Sequence, residues 1–361
     1  MAIDHKLITP MMSIDDPMLS SDILGSGGGR YAFRINQDTL VTNETLEYVL
    51  AYRRECMTNR GLIVPADYER TWRVKQAPLW TPEHLSSTTS TLEAWWKADT
   101  IHDKADGAAI TSIDDDSDNS NTLTSSTASM KLRHVNGLNM IDMTDTNVNT
   151  GDKLFAADDD SLDMGLDAFE WYFLWAPNHT GDAPGQCHMF FDKRAATSDD
   201  PQFYLFPTSG RSGNALKLIL RSKTSQNQSS DDLGYGSLVI GDPYLMNARR
   251  NTNARIKFSV NGAAKGGPTG AVFSDFTTSD GMYIGNSDYP DQEPTLSAGM
   301  GGYLGEAIIV NSGATDYPSD NAAQDADREI MEGYLAHKWG FDLPSGHTYE
   351  TSPPRLDSVF T

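Results

Sequence analysis

Two cysteines in 361 residues, Cys56 and Cys187, are too few and too far apart for a disulfide framework or a zinc pattern. They read as free thiols. No apolar run approaches the roughly 18 residues of a membrane-spanning helix. The opening stretch M-A-I-D-H-K-L-I-T-P lacks the apolar centre of a signal peptide. The expectation is therefore a chain made in the cytoplasm without export and without a membrane partner. On that reading the sequons at Asn43, Asn178 and Asn227 carry little meaning. Basic residues are scarce as well: Lys and Arg number 28 against 50 Asp and Glu, a net charge of −22. A chain this acidic repels phosphate backbones, which argues against nucleic acid as a partner. No G-x-S-x-G and no H-E-x-x-H occurs, and Cys187 beside His188 is a sequence neighbour rather than a dyad.

What is present changes along the chain. Residues 1–84 form a small N-terminal segment, too short to bury a large core alone, and read as an anchor. Within it, Gly25 to Gly29 (G-S-G-G-G) resembles a flexible joint and lacks the Lys-Ser/Thr of a phosphate loop. A helix is predicted over about 43–59. Asn43 caps it, Leu46, Val49, Leu50 and Met57 share a face, and Gly61 stops it.

From residue 85 to 361 the pattern becomes short alternating runs between turns. In A-F-E-W-Y-F-L-W-A-P, Phe169, Trp171, Phe173 and Trp175 share one face, and Ala168, Glu170, Tyr172 and Leu174 the other. Leu216, Leu218 and Leu220 face one way, against Lys217 and Arg221. Ala254, Ile256, Phe258 and Val260 alternate with Arg255, Lys257 and Ser259, and Asn261-Gly262 then turns the chain. This pattern predicts antiparallel sheets with one wet face, stacked as a β-sandwich. Aromatics at every inward position of one strand read as core before they read as a sugar platform.

The stretch E-G-Y-L-A-H-K-W-G, Glu332 to Gly340, poses a choice between ligand site and core plug. A helix over about 319–339 is expected, with Asp320, Asp325 and Asp327 at its positive end. Ile330, Met331, Tyr334, Leu335 and Lys338 lie on one stripe, and Gly340 closes it. His337 falls off that stripe. The spacing favours a plug packed on the sandwich.

G-Y-L-A-H-K-W-G, with the following L-P-S-G-H-T-Y and S-P-P, resembles the C-terminal signature of LamG-like, concanavalin A-like domains. Other stretches follow in family order: L-E-A-W-W-K-A-D-T-I from Leu92, S-I-D-D-D-S-D-N-S-N from Ser112, and H-V-N-G-L-N-M-I-D-M from His134. R-I-K-F-S-V-N-G, G-M-Y-I-G-N and G-Y-L-G-E-A-I-I-V-N complete the set. In the second of these stretches Ile113 stands where the family has Trp. The likeness covers about residues 85–355.

The resemblance implies a mainly β chain, a concanavalin A-like antiparallel β-sandwich (jelly roll) closed by a C-terminal helix. It also implies a phage virion setting: a non-enzymatic capsid decoration (knob or cement) protein, held to a major capsid protein or other virion protein by its N-terminal segment. The alternative is a carbohydrate-binding adhesion or receptor-binding tail protein that meets host-surface glycans. A homo-oligomer is compatible with either. Glucanase relatives carry Glu-x-Asp carboxylates on one strand face. No Glu here is followed by Asp two positions later, so no catalytic residues are expected. Glycan contacts, if made, are expected at Trp175, Tyr289 and Tyr303, with packing as the competing reading. No cofactor is expected apart from calcium, for which Asp114, Asp116 and Asp118 are the candidate ligands and solvated loop acids the competing reading.

Overall fold

The computed structural model describes residues 79–85, 90–102, 104–125, 130–135, 137–143, 152–165, 167–178, 186–193, 202–207, 216–221, 227–229, 238–250, 256–265, 277, 280–285, 297–298, 301–313 and 322–356. The helix expected over about 43–59 and the glycine joint lie outside these residues. The chain divides into two compact units, Met1–Trp80 with Pro353–Thr361, and Thr81–Ser352. In the first, Leu79 and Arg355 form an antiparallel bridge, and the Trp80 N–H donates to the Pro354 carbonyl at 3.0 Å.

The second unit is a two-sheet sandwich. Its first strands are β1 Thr91–Lys97, β2 Ser112–Ile113, β3 Leu123–Ser125, β4 Lys131–Val135, β5 Leu138–Met143 and β6 Leu154–Ala156. Next come β7 Ala168–Pro177, β8 Gln186–Asp192, β9 Gln202–Pro207, β10 Leu216–Arg221, β11 Asn227–Ser229 and β12 Tyr244–Arg250. The last are β13 Ile256–Val260, β14 Ala263–Ala264, β15 Met282–Gly285, β16 Ser297–Ala298 and β17 Gly302–Gly313. The first sheet runs β14-β13-β12-β7-β17-β5-β4, with β1 also on β17. The second runs β11-β10-β9-β8-β15-β6-β3-β2, with β16 added to β8. Residues Gly302–Leu304 of β17 pair with β5, and Glu306–Asn311 pair with β1, so a bulge at Gly305 lets one strand edge serve two partners.

The inner faces meet as the alternation predicts. Phe169, Trp171, Phe173 and Trp175 of β7 enter the core with Leu218, Leu220, Ile256 and Phe258. The Phe173 and Phe190 rings stack across the sheets at 4.7 Å, and Trp171 meets Phe191 at 5.3 Å. The Asn261-Gly262 turn forms as read. Both residues have positive φ, 49° and 76°, the backbone that a two-residue hairpin of this twist requires.

The outer face of the first sheet differs from expectation. Antiparallel alternation predicts it wet, yet every residue of β7 is buried. The reason is the closing helix, Ala322–Trp339, laid over that face. Ile330, Met331, Tyr334, Leu335 and Lys338 are all buried, as the stripe predicts, and Trp339 joins them. His337 stays half-buried, its Nε2 2.7 Å from the Tyr349 carbonyl. Among the described residues, the second unit therefore has two cores: one between the sheets, and one between sheet and helix.

Candidate functional site

The second core answers the question raised by the closing stretch. Glu306, wholly enclosed on β17, accepts four hydrogen bonds. Trp95 Nε1 and Tyr334 Oη (3.1 Å) donate to Oε1; Trp339 Nε1 and Lys338 Nζ, both at 2.9 Å, donate to Oε2. Lys338 also donates to Tyr334 Oη at 3.0 Å and lies 3.1 Å from Asp99 Oδ2. Tyr334, Lys338 and Trp339 of the signature thus converge on one carboxylate, and one ammonium is shared by two buried acids. A buried charge needs such saturation, because it loses its water on folding. This is the chemistry of a plug whose polar groups occupy one another.

A second polar cluster lies beside it. Tyr172 Oη donates to Glu170. Glu332 accepts from Ser259 Oγ at 3.0 Å and from Arg328 Nη1 at 3.1 Å, and His347 Nε2 lies 3.2 Å from it. Burial pushes Glu170 up to about 7, and the nearby Glu332 carboxylate pushes in the same direction. Arg249, the Tyr172 hydrogen bond and Arg328 pull the other way without offsetting the burial. Burial, then the Glu170 charge, also pushes the Tyr172 phenol up.

The residues singled out from the sequence fall in different places. Trp175 is wholly buried on the inward face of β7, 5.9 Å from the Phe190 ring, so it offers no face to a sugar. The alternation that marks it as core outweighs its place near a strand end. Tyr289 lies outside the described residues. The acidic loop does not gather its candidates. Asp114, Asp116 and Asp118 are exposed, and Asp116 pairs with Lys97 at 2.7 Å. Among the described residues, no three carboxylate, imidazole or thiol groups converge as metal ligands. It is Asp115 that turns inward. It accepts from the Trp95, Ser117 and Asn121 N–H groups at 2.8, 2.9 and 2.8 Å. Ser117 Oγ, Asn119 Nδ2 and Asn121 Nδ2 all donate to the Glu93 carbonyl. The loop is thus stitched to β1 by its own side chains, and Ile113 fills the core position.

Tyr303 is the candidate that stays at the surface. It is half-buried on β17, and its direct cross-strand neighbour is Asp142 on β5, itself opposite Lys131 on β4. Arg133 Nε donates to Asp142 Oδ2 at 3.1 Å, and Arg133 Nη1 lies 4.0 Å from Asp106. The hydrogen bond to Asp142 raises the Arg133 guanidinium. Burial, then Asp142, raises the Tyr303 phenol, so the ring is neutral. Sequence reasoning missed Asp142 and Arg133. Their signal was a charged residue at an outward position in each of two short strands.

The same end of the sheet carries a second exposed feature. Val239 and Ile240 are each 54% exposed at the tip of a turn ahead of β12. The Asp242 N–H donates to the Val239 carbonyl at 3.2 Å, and Gly241 has φ +82°, the pattern of a type II turn. The turn is braced by Val239 N–H to Tyr244 Oη and by Gly241 N–H to the Pro177 carbonyl, both 2.8 Å. Following the strand order, the end of the sheet presents the Val239–Ile240 tip, Tyr303, Asp142 and Lys131. An apolar tip, an aromatic ring and a charged pair lie along one edge.

No protein-family model matches the chain, and no curated protein matches it. Some solved structures are similar to it over part of their length. The binding domain of Paraclostridial mosquitocidal protein 1 is 11% identical over 71% of this chain and 56% of its own, with a TM-score of 0.48. Domain 4 of AbnA, a GH43 extracellular arabinanase from Geobacillus stearothermophilus, solved with arabinotriose, is 15% identical over 63% and 95%, TM-score 0.41. The binding domain of botulinum neurotoxin DC in complex with SialylT is 11% identical over 70% and 55%, TM-score 0.46. The chain spans about half the length of the two toxin domains. The chain's own two sheets define it as a β-sandwich.

Proposed function

We propose that the chain is a non-catalytic binding domain that takes a carbohydrate on the end of its first sheet. Tyr303 is the stacking ring, and the Asp142–Arg133 pair supplies the hydrogen bonds. The observation that carries this reading is the half-buried Tyr303 set directly opposite Asp142, with Arg133 bonded to that carboxylate. A sugar offers an apolar C–H face and a rim of hydroxyls. A ring beside fixed donors and acceptors complements both. The carboxylates under the closing helix are engaged with one another and with their donors, which supports binding rather than turnover. The test is a glycan array probed with the wild-type chain and with Tyr303→Ala. Binding to an oligosaccharide, weakened tenfold or more by the substitution at an unchanged unfolding midpoint, supports the reading. Failure to bind any glycan, or equal binding by Tyr303→Ala, sinks it. Release of reducing sugar from a bound polysaccharide contradicts the non-catalytic part.

A setting on a virus particle is proposed with it: a capsid decoration protein fixed by the segment ahead of the sandwich. It rests on the sequence resemblance and on the net charge of −22, which suits an exposed, soluble shell. Adding the full-length chain to shells that lack it tests this. Occupancy of repeated surface sites supports decoration, and no binding leaves an adhesion module.

A further inference from the structure

The interface between the closing helix and the first sheet is unusual in what it encloses. Glu170 of β7 is 3% exposed and Glu332 of the helix 0%. The groups around them come from β7, β12, β13, the helix and the segment after it, while on β17 the cross-strand neighbour of Glu170 is Val310, which does not titrate. Tyr172 lies on β7 itself, Arg249 is the cross-strand neighbour of Glu170 on β12, and Ser259 lies on β13. Arg328 lies on the helix, and His347 on the segment that follows it. Arg328 is committed to Glu332, at 3.1 and 3.3 Å to its two oxygens. Arg249 is half-buried. Glu170 has Tyr172 Oη as its hydrogen-bond donor.

We propose that this interface is a pH-sensitive latch: the closing helix and the segment 341–350 seat more tightly on the first sheet in mild acid than at neutral or alkaline pH, because Glu170 and Glu332 share one dry layer. The same segment closes the layer from the other side. Leu343 is buried, and its side chain, with Pro344 and Glu332, crowds the Asn261-Gly262 turn, where a Cβ on Gly262 would lie 3.1 Å from Leu343. Lifting the helix therefore admits water to Glu170 and Glu332 together.

The sign follows from proton uptake. Seated, Glu170 holds its proton up to about pH 7; lifted into water it returns to the ordinary value of 4.5. Seating therefore binds a proton between those limits, and the seated-to-lifted ratio falls up to tenfold per pH unit as pH rises through that window. Asp327, on the same helix and bonded at 3.1 Å by Oγ of Ser90 ahead of β1, is also raised by its burial and acts in the same direction. A Glu170 variant separates the two.

Hydrogen exchange of the full chain, read by mass spectrometry at pD 5.5, 6.5, 7.5 and 8.5 and corrected for intrinsic rates, is the test. Protection of amides in 326–339 is expected to fall about tenfold between pD 5.5 and 6.5 and to level off above 7.5. In Glu170→Gln that dependence is expected to flatten. Tyr172→Phe removes the hydrogen bond that favours the charged carboxylate, so it is expected to move the fall to higher pD, an effect that loss of packing alone does not produce. Should Glu170→Gln fail to fold, Glu170→Leu serves in its place. A pD-independent wild-type helix, or a fall that survives removal of Glu170, overturns the latch.

Discussion

At the residue scale, the closing stretch shows how one carboxylate organises a signature. Glu306 gathers two indoles, a phenol and an ammonium, and Lys338 bridges it to Asp99. Removing the cation leaves two buried acids facing each other. Lys338→Met is therefore expected to destabilise the fold by about 3–5 kcal/mol, read from the urea midpoint at constant slope. Trp339→Phe keeps a six-membered aromatic ring but loses the pyrrole ring and with it one donor to Oε2, for an expected loss of about 1–3 kcal/mol in the same titration. Arg133→Ala, at a side chain 36% exposed, is expected to stay within about 1 kcal/mol of wild type. A large loss there would mean that the Asp142–Arg133 pair supports the fold rather than a ligand. These roles were only half legible in the sequence. Tyr334 and Lys338 fall on the buried stripe by spacing alone, but nothing in the spacing says that their polar atoms meet Glu306, which lies 28 and 32 residues away along the chain.

At the scale of elements, the strands and the hairpin were readable because their signals are local. Period-two alternation placed Trp171 and Phe173 inward, and Asn261-Gly262 placed the turn. Gly262 has φ +76° and Leu343 against it, so a methyl there is both strained and crowded. Gly262→Ala is expected to cost about 1–3 kcal/mol of stability. Differential scanning calorimetry decides it, and an unchanged midpoint would mean that the turn and the segment 341–350 move apart freely. The wet face predicted for β7 was wrong for a physical reason. Alternation distinguishes the two faces of a strand, but it does not reveal that a helix more than 140 residues later covers the second one. Glu170 is the residue that misleads, since a glutamate at an outward position normally means solvent.

At the scale of the whole molecule, charge dominates. A net charge of −22 spread over one chain repels itself in dilute buffer. The unfolding midpoint is therefore expected to rise when salt increases from about 0.01 to 0.15 M, as the Debye length shrinks from about 30 to 8 Å. A midpoint that falls over this range would mean that paired charges such as Lys97–Asp116 matter more than the repulsion. Against pH the sign is set by Glu170, whose seated value of about 7 stands above the ordinary 4.5. Its contribution is fully present below about pH 4.5 and is lost as pH rises through 7. It amounts to about 3 kcal/mol. The wild-type stability minus that of Glu170→Gln, compared at pH 5 and pH 8, is expected to shrink by that order, and a constant difference would contradict it.

The sequence by itself determined the fold class, the inward faces, the closing helix and its buried stripe. Each of these is written in the periodicity of neighbours a few residues apart. Tertiary structure alone decided which polar residues are solvent-facing and which are walled in. It withdrew Trp175 from the list of sugar contacts, kept Tyr303 at the surface opposite Asp142, dispersed Asp114, Asp116 and Asp118, and brought Glu170 and Glu332 into one layer. The reason is that the hydrophobic effect acts on local pattern and so leaves a local trace. The environment of a charge depends instead on whatever packs against it, which in a sandwich comes from strands and a helix far away along the chain.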